Sequence, residues 1–411
     1  MQQLYTLLIV SFATLNLYAG QISKLDNLPP NPYAAFFEKA YGQHPSIPRG
    51  VLEAVAFTNT RLAHVTHNID DAESCVGLPN AYGVMGLVAD GKNYFRNTLS
   101  IVSLYSGIPI KEIISSSEKN ILAFAAAYDQ ILLETKSGAA IEDQVQVLAF
   151  LSELPGDVNF QSNYAMNTHL YSVFSFLSNP VYADAYKFPL YKIDMQKIFG
   201  AQNLQVLSAS FIKISSDRIA NENGDAFSYK QQVFASPDYG PAIWDPAPSC
   251  NYSSGRSQAI SAVTIHTVQG SYAGCISWFK NCAASVAAHY VIRSSDGQVT
   301  QMVLEANTGY HVGSQNPYTI GIEHEGFVND ASWYTTAMYQ SSANLCKDIC
   351  NSGYGINPLR TGFWPWLGST YYNQSSIPGT CSKIKGHQHL SLIHISEPTR
   401  LRRISYAVFC L

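Results

Sequence analysis

The chain of 411 residues reads as two domains, a helical one followed by one of alternating strands and helices. Three observations predict this. The length exceeds what one ordinary hydrophobic core fills. Apolar residues recur at three- and four-residue spacing from Asn31 to about Asn179. Beyond a proline-rich stretch, short β-type runs bounded by glycine or turn residues alternate with helical patterns. A hydrophobic fraction of 46% against a charged fraction of 13% describes a folded chain. The net charge of −4 gives no electrostatic basis for binding nucleic acid.

Taken in order, the chain opens Met1-Gln2-Gln3 and then runs apolar from Leu4 to Ala19. That length suits the core of a signal peptide and is too short to span a bilayer. Residues 1–20 are therefore predicted to be a signal peptide cut after Ala19 or Gly20, although Leu17 fits that cut badly and no Lys or Arg precedes the run. The expectation is an exported protein, secreted or held in the periplasm or cell envelope, with no membrane-spanning segment after cleavage. The eight cysteines form no paired C-x-x-C clusters of a structural zinc site. Cys275 and Cys282, flanking W-F-K-N on a predicted helix, can pair outside the cytoplasm.

The helical region, 21–234, carries P-Y-A-A-F-F-E-K-A-Y, I-P-R-G-V-L-E-A-V-A-F, K-N-I-L-A-F-A-A-A-Y-D-Q-I-L-L and E-D-Q-V-Q-V-L-A-F-L-S-E-L. Pro48 just inside one start and Pro155 just beyond one end fit helix punctuation. Residues 190–234 are mixed. The stretch A-S-P-D-Y-G-P-A-I-W-D-P-A-P-S, with four prolines and no periodicity, reads as a linker and sets a boundary near residue 235.

After it, Ala262 to Thr267 predicts a buried strand, Ser271 to Ala287 a helix, and His289 to Arg293 a second strand. Asp296-Gly297 reads as a hairpin turn leading to a partner strand from Val299 to Leu304. Thr319 to Glu323 is a further strand and Trp333 to Cys350 a patterned helix. His266 and Glu323 thus fall at strand ends, and I-K-G-H-Q-H-L sets His387 near the end of the chain. Two histidines at strand or loop ends and a carboxylate on a neighbouring strand are the components of a hydrolytic zinc site. His324 alternates to the opposite face from Glu323 and is excluded as a ligand.

The motifs T-I-H-T, A-A-H-Y-V-I with D-G after it, Y-H-V-G-S, I-G-I-E and K-G-H occur in that order over residues 235–390. This series resembles the zinc-dependent N-acetylmuramoyl-L-alanine amidases of the AmpD-like and peptidoglycan-recognition superfamily. The resemblance implies a mixed central sheet flanked by helices, with Zn²⁺ at one edge. It implies that His266 and His387 are metal ligands. Glu323 falls on the catalytic carboxylate that takes a proton from the zinc-bound water and passes it to the leaving amine. His311 falls in the motif that lines the substrate cleft. His289 is a second candidate for substrate contact, weighed against a strand histidine held by hydrogen bonds.

The third ligand of that family, an Asp in a T-D-P-G run or a Cys, is absent at the expected spacing. Glu397 stands there as a weak substitute. Residues 391–411 resemble translated sequencing-adapter read-through, so the natural protein is expected to continue differently after Leu390. In the first region, I-P-R-G-V-L-E-A-V-A-F-T-N-T-R followed by A-Y-G-V-M-G-L resembles the lysozyme-like fold of lytic transglycosylases. Asn59 stands where their catalytic Glu belongs, and an amide cannot donate the proton that a glycosidic oxygen requires. The expectation there is a glycan-binding domain without glycosidase activity, with Tyr82, Tyr94 and Tyr105 as candidates for stacking on sugars. For the whole chain, the expected function is a secreted hydrolase of peptidoglycan, cleaving the amide between N-acetylmuramic acid and L-alanine. The alternative is a non-catalytic peptidoglycan-binding protein of the same fold.

Overall fold

Helix boundaries in the first region follow from local chemistry. The computed structural model describes residues 28–67, 74, 76–138, 140–156, 163–209, 212–214, 219–221, 236–356 and 384–386. Helix α1, Val51–Thr60, ends where Arg61 turns into the left-handed region. Helix α2, Ser117–Thr135, starts under a Ser116 side chain that accepts the Lys119 N–H and buries Ile121, Phe124, Tyr128 and Ile131 along one stripe. Helix α3, Tyr164–Leu177, is capped by Asn163 and buries Leu170, Val173, Phe174 and Leu177. The four helical patterns read from sequence all fall in helical segments, the last as a 3₁₀ turn, Ile141–Gln144, leading into Val145–Phe150. Glu53 lies buried in α1 and accepts a hydrogen bond from the Tyr41 hydroxyl at 2.5 Å; burial pushes its carboxyl up to about 7. Tyr41 in turn accepts the Gly50 and Leu52 N–H groups, so this acid anchors the start of α1.

The second region is a six-stranded mixed sheet. Its strands are β1 (Ile243–Trp244), β2 (Ala262–Thr267), β3 (Tyr290–Ile292), β4 (Val299–Gln301), β5 (Thr319–His324) and β6 (Ile384–Gly386), in the spatial order β6-β2-β5-β3-β4-β1. Strands β6, β2, β5 and β3 run parallel, β4 is antiparallel to β3, and β1 is parallel to β4. Alternation along β2 and β5 sends Val263, Ile265, Ile320 and Ile322 into a core with Met338, Leu345 and Ile349. These last three lie on helix α5, Thr336–Asn351. The other face meets helix α4, Tyr272–Phe279, and the first region.

Several sequence expectations shift here. The proline-rich stretch supplies β1, which adds to the sheet edge beside β4. The helix expected from Ser271 to Ala287 stops at Phe279, because Asn281 caps a short 3₁₀ turn at Cys282–Ala284. The helix expected from Trp333 begins at Thr336, whose preceding Thr335 side chain accepts the Met338 N–H. The disulfide joins Cys282 to Cys250 rather than to Cys275, which is buried on α4 as a free thiol. Helical geometry explains this: Cys275 points into the core, while Cys282 lies past the helix end, near Ser249–Asn251. Residues 1–27 and 387–411 lie outside the described residues, and with them the signal peptide, His387 and Glu397. Among the described residues no helix is long and apolar enough to cross a membrane.

The two regions share one hydrophobic core. Phe37, Leu52, Phe124, Leu170 and Phe174 cluster with Tyr272, Ile276, Trp278 and Met302. Polar contacts tie the same interface. Trp278 donates its indole N–H to the Val76 carbonyl at 2.7 Å, and Tyr94 donates to the Ser277 carbonyl at 2.7 Å. Gln298 donates to the Val206 and Ala209 carbonyls at 2.8 and 2.9 Å. Tyr94, expected as a candidate sugar-stacking residue, instead packs 5.4 Å from the Trp278 ring. Tyr105 binds Glu134 and Tyr82 lies edge-on to His67. Trp278→Ala would leave a large cavity and an unmet carbonyl in this shared core. The expected loss is about 3–5 kcal/mol, read as a lowered urea midpoint with intact cooperativity.

Candidate active site

Parallel pairing of β2 with β5 sets Glu323 directly opposite His266. Both side chains fall on the sheet face away from α5 because their neighbours, Ile265 and Ile322, face it. His266 Nδ1 lies 3.7 Å from Glu323 Oε1, and both side chains are fully buried. On its far side His266 Nε2 lies 3.0 Å from His311 Nδ1. His311 is reached from the loop before β5, with its rings 5.1 Å from His266 and 5.5 Å from His289.

Thr319 Oγ donates to the Gln315 carbonyl at 3.0 Å and lies 3.3 Å from His311 Nε2, so the three side chains His266, His311 and Thr319 form one polar chain behind Glu323. An imidazole nitrogen and a carboxylate oxygen are donor types that suit a metal ion. Among the described residues, however, no group of three or more His, Cys, Asp or Glu is arranged to hold one. Strand β6 runs beside β2 as far as Gly386, opposite Ile265, and His387 is the next residue in sequence.

The loop carrying His311 is held by residues that motif reading did not single out. Arg256 donates to the carbonyls of Glu305, Pro317 and Thr319 at 2.6, 3.0 and 3.1 Å, and its Nη2 lies 2.7 Å from His289 Nε2. Asn316 Oδ1 accepts the N–H groups of His311 and Val312. Gly321 has a steric reason: a Cβ there would lie 2.6 Å from the His311 ring. The I-G-I-E motif held that signal, but only the packing gives its cause.

His289 is fully buried. Its Nδ1 accepts the Gly321 N–H at 3.0 Å, and its Nε2 faces the Asn307 carbonyl at 3.2 Å. Burial first, and then the charge of Arg256, hold it well below the usual histidine range. In this geometry it braces β5 and the His311 loop. His324, on the opposite face, donates from Nδ1 to the His266 carbonyl at 3.0 Å and meets Ser342 Oγ at 2.8 Å. It steadies the backbone of His266 from behind.

A buried imidazole and a buried carboxylate thus stand in register at adjacent strand ends. Residues 256–398 match the family model for N-acetylmuramoyl-L-alanine amidase. N-acetylmuramoyl-L-alanine amidase A of Achromobacter lyticus is 48% identical over 154 residues, 38% of this chain and 83% of that protein. A selenomethionine AmpD crystal structure matches at 20% identity, covering 40% of this chain and 93% of that one, with a TM-score of 0.27. The hydrolase AmiA of Staphylococcus aureus matches at 16% identity, covering 44% and 82%, with a TM-score of 0.29. The chain belongs to the N-acetylmuramoyl-L-alanine amidase family.

Burial pushes His324 down to about 4, whereas an unfolded histidine titrates near about 6.5. Between those values the unfolded chain binds the extra proton, so the stability is complete above about pH 6.5 and is lost as pH falls toward 4. At about 1.4 kcal/mol per unit this amounts to about 3 kcal/mol. His169, likewise pushed down to about 4 by burial, adds to the same loss. His324→Asn should flatten the fall in urea midpoint between pH 7 and pH 4.5. A slope equal to that of the parent chain would contradict this assignment.

Proposed function

We propose that this protein is an exported zinc amidase that hydrolyses the bond between the lactyl carboxyl of N-acetylmuramic acid and L-alanine in peptidoglycan. The observation that carries the reading is the in-register pair His266 and Glu323, backed by His311, in a chain of this family. His266 and His387 are the proposed metal ligands, with Glu397 a weak substitute for the third. Zinc, when bound, polarises the scissile carbonyl and lowers the pKa of its water to about 7.

This chain's own residues do the rest. Glu323 takes a proton from the attacking water and returns it to the departing alanine nitrogen, so one carboxylate serves as base and then acid. Its complete burial excludes bulk water and strengthens that exchange. The His311 and Thr319 chain braces the ring of His266, one of the residues that would hold zinc. His311, only slightly exposed at 5%, is the proposed contact to the muramoyl–alanine amide, and His289 supports it from beneath. The helical region, lacking a carboxylate at Asn59, is assigned no glycosidase activity.

Glu323→Gln should retain zinc and lower turnover of a muropeptide by about 10²–10⁴-fold, the usual range for a removed general base. Undiminished peptide release would remove Glu323 from the mechanism. His266→Ala should abolish stoichiometric zinc in atomic absorption, and full zinc content in that variant would refute its role as ligand. Gly321→Ala should displace the His311 ring and depress turnover while zinc content persists; unchanged turnover would detach His311 from the reaction.

A further inference from the structure

The hydrogen-bonded ladder between β2 and β5 ends at Thr267 and His324, one residue beyond His266 and Glu323. Past that point an isolated bridge joins Gly270 to Gly326, through N–H···O bonds of 3.3 and 3.0 Å. Glycine has the widest backbone freedom, and the ends of a ladder open first. The 3.7 Å separation of His266 from Glu323, set across two strands, therefore depends on how these two exits are held.

The helical region holds both. At the exit of β2, the buried Ser74 donates its hydroxyl to the Val268 carbonyl at 2.8 Å. Leu78 lies against Gly270, where a Cβ would stand 3.0 Å from Leu78 Cδ1. From Val268 the connection runs on to the site: its N–H donates to the His324 carbonyl at 2.9 Å, and the His324 ring bonds the His266 carbonyl at 3.0 Å.

At the exit of β5 the contact is Arg61, which follows the end of α1. Its guanidinium lies 4.5 Å from the Trp333 ring and donates to Ser294 Oγ at 3.3 Å. Trp333 packs on Gly326, where a Cβ would stand 2.5 Å from Trp333 Cβ. Glu325 accepts the Ser294 N–H at 2.7 Å. Burial raises the Glu325 carboxyl, and the charge of Arg61 opposes that rise.

These contacts are placed unlike ordinary interface packing. Val268 is two residues past His266, and Glu325 is two residues past Glu323. The junction beside Gly270 is tight: Asn59, Gly86 and Leu78 line, with Gly270 and Phe327, a cavity of about 20 Å³. The chain passes through two consecutive left-handed residues, Arg61 at φ 54° and Leu62 at φ 61°. That conformation is costly for bulky side chains and persists where surrounding contacts hold it.

We propose that the helical region is the positioning element of the amidase site, with Ser74 setting the exit of β2 and Arg61 the exit of β5. Neither residue touches substrate. They act through the backbone of the strands that carry His266 and Glu323, where a displacement of about 1 Å is enough to cost about 10²-fold in rate. The inference rests on the amidase reading for its consequence in turnover, and on the geometry of the two exits for its physical basis.

The test compares Ser74→Ala and Arg61→Gln with Tyr94→Phe, which removes the hydrogen bond to the Ser277 carbonyl in the same interface but away from both exits. The first readout is metal-free: the imidazole N–H signal of the His266–His311 hydrogen bond in histidine-labelled protein, with deuterium exchange over residues 262–270. Ser74→Ala and Arg61→Gln should shift or broaden that signal and speed the exchange at least tenfold, while Tyr94→Phe leaves both as in the parent. If Arg61→Gln does not fold, Ser74→Ala decides alone. A parent-like signal and exchange in Ser74→Ala, or an equal effect from Tyr94→Phe, would overturn the proposal. On a muropeptide, kcat should fall about 10–10²-fold with KM unchanged in the two exit variants. Absence of turnover in the unmodified chain counts against the amidase reading, while the histidine signal and the exchange still decide the positioning role.

Discussion

The parallel pairing of β2 with β5 is the constraint on which the site depends. A strand has a side-chain period of two, so a slip of one residue would turn His266 or Glu323 into the hydrophobic layer under α5. Val263, Ile265, Ile320 and Ile322 hold the register because each is buried on that layer. The chemistry on one face is thus fixed by packing on the other. His324 makes the coupling direct: it leaves β5 on the packed face and bonds back to the carbonyl of His266.

Around this pair, the site is built from neutral and opposed groups in low dielectric. Burial keeps His289 and His324 uncharged, so they act as rigid hydrogen-bonding braces rather than as charges. Arg256 is pushed down to about 10 by burial and satisfies its N–H groups with loop carbonyls. This lets a loop without regular hydrogen bonding stand close to His266 and Glu323, its carbonyls met by one guanidinium.

The helical region contributes to the sheet region through a shared core rather than as a tethered module. Trp278, Tyr272 and Ile276 of α4 are buried against it, and hydrogen bonds from Arg293 and Gln298 reach its last helix.

The sequence by itself determined the strands that carry His266 and Glu323, the alternation that excludes His324, and the family, because short motifs at strand ends record local chemistry. It also marked the four helical segments of the first region, since amphipathic periodicity is local. It did not reveal that Cys282 pairs with Cys250, that the proline-rich stretch supplies an edge strand, or that Arg256 holds the His311 loop. Those depend on which distant segments meet. Tyr94 illustrates the limit: its sequence context suits either a sugar platform or a core residue, and only its packing against Trp278 decides. The junction between the two regions, and the buried cation within it, belong to tertiary structure alone, because Phe57, Arg61, Ser294 and Trp333 become neighbours only when separate parts of the chain bury a common surface.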